Sequence, residues 1–355
     1  MNVLIRCDGS PEIGLGHIVR CLALADEFHD VHNCRITFAM RKGPLGIQMV
    51  EEKGYNVIIP QENGQSFDYG KWLNDCVRKV DARAIVFDVR DGLTRSVVKE
   101  LRNDGILIIT IDDPEDKRLS ADLAFYTPVP QVKRIDWTGF TGKLYVGWEW
   151  VILRKEFSEI KNKRAINNKS SIINHQSSIP KVLVTMGGSD PQGMTIKAVK
   201  ALEMLDDNFG AVVVLGAGFQ HKKQLDNLLS ACKHRFDMQE NVQNMAELMS
   251  QSDLAVASFG ITAYELAAMG VPAIYLCLTE DHAESASAFV EAGMAICLGV
   301  FKYVNTEMIA KGVSNILNNK SLLSKLANNA RKYIDGQGVA RISHLMIERF
   351  ETGNE

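Results

Sequence analysis

With 355 residues, the chain exceeds the length at which a single hydrophobic core stops growing, so two domains are expected. Hydrophobic residues at 46% and charged residues at 23% exclude a disordered or fibrous protein. A net charge of −3, with no basic stripe and no polybasic run beside an apolar segment, argues against nucleic acid or a membrane surface as a partner.

The chain opens on a short apolar run, Met1 to Cys7, that Asp8, Gly9 and Ser10 break at once, so it reads as a strand and not as a signal sequence. Short β-branched runs then alternate with helical patterns: Val3–Arg6, a helix from about Gly16, Arg35–Ala39, Tyr55–Pro60, Ala84–Asp88 and Ile106–Asp112. This alternation predicts βαβ units and a parallel sheet, and the near absence of polar residues within the strands predicts helices on both of its faces. Between Lys161 and Pro180 the composition shifts to Lys, Asn, Ser, Gln and Arg, which bury little apolar surface, and this stretch is expected to connect the domains.

Alternation restarts with Lys181–Thr185, a helix near Thr195–Leu205, Ala211–Leu215, a helix near Lys223–Cys232 and Leu254–Ala257. It continues through a helix at Thr262–Met269, Ala273–Cys277, and helices over Ala283–Ala292, Thr306–Asn318 and Ser321–Tyr333. The expected organisation is an N-terminal Rossmann-like domain over 1–160, a polar linker over 161–180 and a C-terminal Rossmann-like domain over 181–355. Two doubly wound parallel-sheet domains of this kind are expected to face a central cleft, where ligands of open α/β sheets bind. No later apolar run is long enough to span a bilayer, and the seven cysteines are scattered without a Cys-x-x-Cys pair. A reduced, cytoplasmic setting is expected, with thiols acting as small core hydrophobes and with neither a zinc site nor a catalytic cysteine.

The first strand runs into Arg6-Cys-Asp8-Gly9-Ser10-Pro-Glu-Ile-Gly14-Leu-Gly16-His17-Ile-Val-Arg20. Gly14 and Gly16 allow a tight turn and a close backbone approach, and the helix starting near Gly16 points free N–H groups at the strand end. His17 lies in the first helical turn, where the positive end of the dipole disfavours imidazolium, so it suits a general base, with Asp8 as its companion. The same Gly-x-Gly also serves as a plain strand-to-helix turn with His17 as a spacer. A dinucleotide fingerprint fails, because Val19 stands where the third glycine belongs.

In the second half, Lys181–Thr185 leads into Met186-Gly187-Gly188-Ser189-Asp190-Pro191, which is either a phosphate or ribose cradle or simply good turn chemistry. No Gly-Lys-Ser or Gly-Lys-Thr closes it, so the Walker pattern is absent. A second strand end carries Ser258-Phe259-Gly260-Ile261-Thr262 and, one turn into the helix, Glu265. Ser258, Gly260 and Thr262 can surround a diphosphate, and Glu265 can accept from ribose hydroxyls or serve as a solvated first-turn acid. After Ala273–Cys277, Asp281 and His282 open the next helix as caps or as sugar contacts. The turn at Asp335–Arg341 could bring Arg341 to the same edge.

Together these residues resemble the sugar-nucleotide hydrolases of the pseudaminic acid pathway and the related spore-coat polysaccharide proteins. The resemblance rests on Arg6-x-Asp8-(x)5-Gly14-x-Gly16-His17-x-x-Arg20, on Gly187-Gly188-Ser189-Asp190 and on Gly260 through Glu265. It implies the two-domain glycosyltransferase B fold, a C-terminal domain that holds UDP with Glu265 on the ribose, and His17 as base for an attacking water. The implied reaction is inverting hydrolysis at the anomeric carbon of a UDP-linked deoxyamino sugar, without metal or other cofactor, in surface-sugar synthesis. Glycosyl transfer to a sugar acceptor at the same base is the alternative. The chain has Asp88-Val89-Arg90 where these hydrolases carry Asp-His-Tyr, and Asp281-His282 in place of an Asn-Gln pair, so the sugar itself stays open.

Overall fold

The computed structural model describes residues 1–9, 15–41, 43–61, 67–167 and 179–352. In the first half, seven strands form one sheet: β1 (Asn2–Cys7), β2 (Arg35–Ala39), β3 (Asn56–Ile58), β4 (Ala84–Asp88), β5 (Leu107–Ile111), β6 (Leu123–Tyr126) and β7 (Lys143–Val146). Every pairing is parallel, in the order β3-β2-β1-β4-β5-β6-β7. The alternation of side chains along β1 shows why the runs are apolar throughout. Val3, Ile5 and Cys7 pack with Ile18, Leu24 and Phe28 of the helix Gly16–Asp30, whereas Leu4 joins Phe87, Leu73 and Val98 on the opposite face.

The second sheet contains β8 (Lys181–Thr185), β9 (Gly210–Leu215), β10 (Phe236–Glu240), β11 (Leu254–Ser258), β12 (Ala273–Cys277) and β13 (Ala295–Val300). It too is wholly parallel, ordered β10-β9-β8-β11-β12-β13. Both sheets are Rossmann-like and doubly wound. In each, the chain winds outward on one side of its first strand and then returns to that strand's other side. The crevices at the carboxyl ends of β1/β4 and of β8/β11 are therefore the topological switch points, where open α/β sheets take ligands.

The chain divides into two compact units, Met1–Pro128 with Val132–Arg154 and Gln337–Glu355, and Val129–Gln131 with Lys155–Gly336. The change of unit falls at Arg154/Lys155, ahead of the polar stretch 161–180 expected to connect the domains. The helix Lys155–Asn167 covers the start of that stretch and packs on the helices Met245–Ser250 and Ile261–Met269 of the second unit. Residues 168–178 lie outside the described residues. The last helix, Gly338–Thr352, returns to the first unit, although 181–355 was expected to form one domain. Its stripe Val339, Ile342 and Met346 completes the core against the helix Gly16–Asp30, and His32 Nε2 lies 3.0 Å from Ser343 Oγ. Among the described residues, no helix is long and apolar enough to cross a membrane.

Candidate functional site

In the first unit the site is built from the ends of three adjacent strands. His17 is the second residue of its helix, which Leu15 enters without a side-chain cap, and its ring is about one quarter exposed, at 28%. Asp88 ends β4 and pairs in register with Cys7 of β1, so the strand order brings it beneath the helix start. Its Oδ1 lies 2.6 Å from His17 Nδ1. Arg20, one turn further along the helix, grips the same carboxylate with Nε and a terminal N–H, while its other terminal nitrogen lies 2.6 Å from Asp112 Oδ2 beyond β5. Asp112 adopts φ of +46° and accepts the Thr127 N–H at 3.1 Å, which anchors this outer carboxylate.

Asp88 is fully buried, and burial alone would raise its carboxyl. The Arg20 guanidinium, followed by His17, overcomes that and holds it well below the usual carboxylate range. An ionised carboxylate at hydrogen-bond distance requires the proton on Nδ1, so Nε2 of the neutral ring is left as the acceptor. The His–Asp pair has the arrangement a general base needs, with the tautomer set by the carboxylate.

The other polar residues at this strand end act inward. Arg6, expected to touch substrate, is fully buried, and its five N–H groups reach Tyr69 Oη, the Cys7 and Ala39 carbonyls, Asp8 and Asp91. None remains for a ligand, and Arg6 instead ties β1 and β2 to the loop after β4. Asp8, expected beside His17, accepts from Arg6 and from the Arg41 N–H at 2.7 Å, so it braces the β1 and β2 ends, while Asp88 supplies the carboxylate at the His17 ring. Gly16 begins the helix with open space where a Cβ would stand. Gly14 lies outside the described residues.

In the second unit, Gly187 (φ +79°) turns the chain after β8, and the site of its missing Cβ is 3.6 Å from Ser258 Oγ at the end of β11. The two glycine loops therefore meet at the switch point. A Cβ on Gly216 would overlap the Gly188 backbone, and the Gly218 N–H donates to the Gly188 carbonyl at 2.8 Å, so the loop after β9 closes on the same turn. Gly188 and Ser189 stay accessible, at the mouth of that turn. Gly260 precedes the helix Ile261–Met269 without a side-chain cap, and Thr262 is half-buried in its first turn. The N-terminal N–H groups of this helix suit an anion such as a diphosphate. Glu265 is buried, one turn inside.

Two residues expected to meet substrate, Asp190 and Phe259, have structural duties. Both oxygens of Asp190 accept helix-start N–H groups, from Met194 and Thr195 at 2.8 Å each, so its carboxylate is a cap. The Phe259 ring is buried, with centroids 5.4 Å from Phe289 and 5.5 Å from Tyr275, as part of an aromatic core and not a stacking surface. The helix expected to be opened by Asp281 and His282 is capped by Thr279, whose Oγ1 accepts the His282 N–H at 3.1 Å. Asp281 is exposed and accepts from Gln131 at 3.1 Å, and the half-buried His282 ring lies 6.3 Å from that of Phe259. Arg341 donates to the Glu149 carbonyl at 3.1 Å within the first unit. Asp88 and Asp112 went unmarked as ligands in the sequence, although a carboxylate closing an otherwise apolar strand, as Asp88 does in Ala84–Asp88, was a signal for one of them.

Residues 175–333 match the family model for group 1 glycosyl transferases. The chain is 29% identical to an uncharacterized protein of Methanocaldococcus jannaschii over 79% of its own length, and spans 56% of that relative. It is 24% identical to the spore coat polysaccharide biosynthesis protein SpsG of Bacillus subtilis over 99% of both chains. Among solved structures, MurG of Acinetobacter baumannii superposes with a TM-score of 0.72 at 14% identity, covering 98% of this chain and 99% of that one. The MnaA–UDP co-structure from S. aureus gives 0.68 at 12% identity, over 99% and 97%. The fold is thus the glycosyltransferase B type, and the sequence is similar to proteins of polysaccharide biosynthesis.

Proposed function

We propose that the protein is an inverting enzyme that moves a sugar from a nucleoside diphosphate, UDP by likeness to its neighbours, to an acceptor hydroxyl. The observation that carries this reading is the His17–Asp88 pair at the β1/β4 switch point, where the carboxylate on Nδ1 leaves Nε2 to act as a base. The group 1 glycosyl transferase match over 175–333 supports placing the donor on the second unit, and the UDP in the MnaA co-structure supports the nucleotide.

In this reading the N-terminal N–H groups of the helix Ile261–Met269 and the turn at Gly187 and Gly188 hold the diphosphate, Ser258 and Thr262 add hydroxyls, and Glu265 takes the ribose. His17 Nε2 removes the proton of the acceptor hydroxyl as its oxygen attacks the anomeric carbon opposite the diphosphate. The glycosidic bond to UDP breaks, its electron pair leaves with UDP, and the configuration inverts. Asp88 holds the ring and balances the imidazolium that forms, and Arg20 holds Asp88 in place.

Water at the same base would make the protein a hydrolase, as the first-unit motif Gly16-His17-x-x-Arg20 implied by resemblance. The two acceptors separate in a product-resolved assay with a panel of UDP-linked deoxyamino sugars, run with and without sugar acceptors. Transfer predicts UDP release that depends on acceptor and a new glycoside. Free sugar and UDP from water alone would replace transfer by hydrolysis, and no UDP release under any condition would refute both.

A further inference from the structure

The strands β12 and β13 carry two thiols whose sulfurs lie 3.6 Å apart, Cys277 and Cys297. They lie diagonally across the two strands, at a point where the register slips. Tyr275 pairs with Cys297 and Cys277 with Val300, so β13 spends one residue more than β12 over the same span. Gly299, at φ +94°, absorbs the extra residue. Both thiols fall on the face of Tyr275, away from Ile274, Leu276, Ile296 and Leu298, which pack into the opposite core. Cys277 is fully buried and Cys297 is half-exposed, so one member can meet a solute while the other stands behind it.

We infer that Cys277 and Cys297 form a reversible thiol–disulfide site that reacts with small disulfides of the glutathione type. The Cys297 thiolate attacks one sulfur of the small disulfide, forming a mixed disulfide and releasing one small thiolate. The Cys277 thiolate then attacks the Cys297 sulfur and expels the second. Two protein thiols are oxidised, one small disulfide is reduced to two thiols, and both protons pass to solvent or to the released thiolates. Closing the bond brings the sulfurs from 3.6 Å to about 2.05 Å, with the local backbone adjusting at the register slip.

The division of labour has an electrostatic basis. The hydrogen bond shared by the two sulfurs holds the Cys297 thiol down against its burial, with the Gly299 N–H assisting. The same hydrogen bond, and then burial, pushes Cys277 up, so it serves as the resolving partner. Cys7 and Cys21 also interact, but both are fully buried behind the first sheet. Cys232 is half-exposed and serves as an internal control. The crosslink would sit one residue beyond Leu276, whose carbonyl accepts the Phe259 N–H at 3.3 Å, beside the Gly260 loop.

The test is non-reducing peptide mapping of the full chain after incubation with glutathione disulfide and then alkylation. The expected result joins the peptides containing 277 and 297, reversibly with dithiothreitol. Cys277→Ser should stop at a stable glutathione adduct on residue 297, and Cys297→Ser should leave Cys277 as a free thiol. Hydrogen exchange at 257–264 should change on oxidation of the wild type and stay unaltered in Cys297→Ser. A wild type in which Cys232 gains glutathione while 277 and 297 stay unlinked would overturn the site. Linkage without any change at 257–264 would overturn its connection to the Gly260 loop.

Discussion

Replacing Asp88 with asparagine changes one atom and reverses one hydrogen bond. The carboxylate accepts from His17 Nδ1 at 2.6 Å and from two N–H groups of Arg20. If the new amide turns its NH2 toward His17, Nδ1 must accept, the ring proton moves to Nε2, and the nitrogen needed as base is blocked. If it turns the NH2 the other way, a donor faces the Arg20 donors inside a fully buried site. Losing general-base catalysis costs about 10²–10⁴ in rate, on the order of 3–5 kcal/mol, and the same exchange in a serine protease triad costs roughly 10⁴. Stability should fall too, by less than the roughly 3–5 kcal/mol of a broken buried pair, because Arg20 keeps Asp112. The assay is kcat for UDP release at saturating donor, with folding followed by circular dichroism and UDP affinity by calorimetry. A folded Asp88→Asn protein with kcat within about threefold of wild type would refute the role given to Asp88.

Other consequences follow from the buried polar groups. Asp190→Ala removes the cap on Met194 and Thr195 and should lower stability by about 1–2 kcal/mol in urea unfolding, and an unchanged midpoint would contradict the capping role. Glu265→Ala should weaken UDP binding by about 1–3 kcal/mol in calorimetry, the scale of a charge-assisted hydrogen bond, and unaltered affinity would remove Glu265 from the ribose. Burial pushes Asp113 up to about 6 despite Lys117 alongside, so from about pH 4 to 6 the folded state holds a proton that the unfolded chain has lost. Stability from this group is therefore present below the unfolded value and is lost as pH rises through 6. Relative to Asp113→Asn, the wild type should lose on the order of 3 kcal/mol across that window, and a pH-independent difference would contradict it.

The central strands were legible because burial on both faces writes them as unbroken apolar runs, as in Ala84–Asp88 and Leu107–Ile111. Central β6, only four residues long, went unread, and of the edge strands only β3 was read, within Tyr55–Pro60. β10 reads Phe-Asp-Met-Gln-Glu and β7 begins with a lysine, and each has only one neighbouring strand, so neither carries the apolar signature of a central strand. Residues 335–341 were visible as a glycine turn entering a helix, but an apolar stripe does not name its partner, so the return of Gly338–Thr352 to the first unit was invisible.

At the site, local signals succeeded and distant ones failed for the same reason. His17 announces itself within a single strand-turn-helix, whereas Asp88 lies 71 residues away and becomes its neighbour only through the β1/β4 pairing. Knowing that a doubly wound sheet sets its first and fourth strands side by side would have pointed to Asp88 in advance. Arg6, Asp190 and Phe259 misled for the opposite reason. Polar or aromatic residues at strand ends look available in a sequence, but each is satisfied internally by partners that only the fold supplies.

The most direct test of the account is His17→Asn, measured for UDP release from the donor that the wild type turns over and for UDP affinity in the same preparation. The account predicts a fall in kcat of at least about 10²-fold with UDP affinity unchanged, since it assigns the base to His17 in one unit and the nucleotide to residues 187–188 and 258–265 in the other. UDP release at the wild-type rate from the folded variant would contradict it.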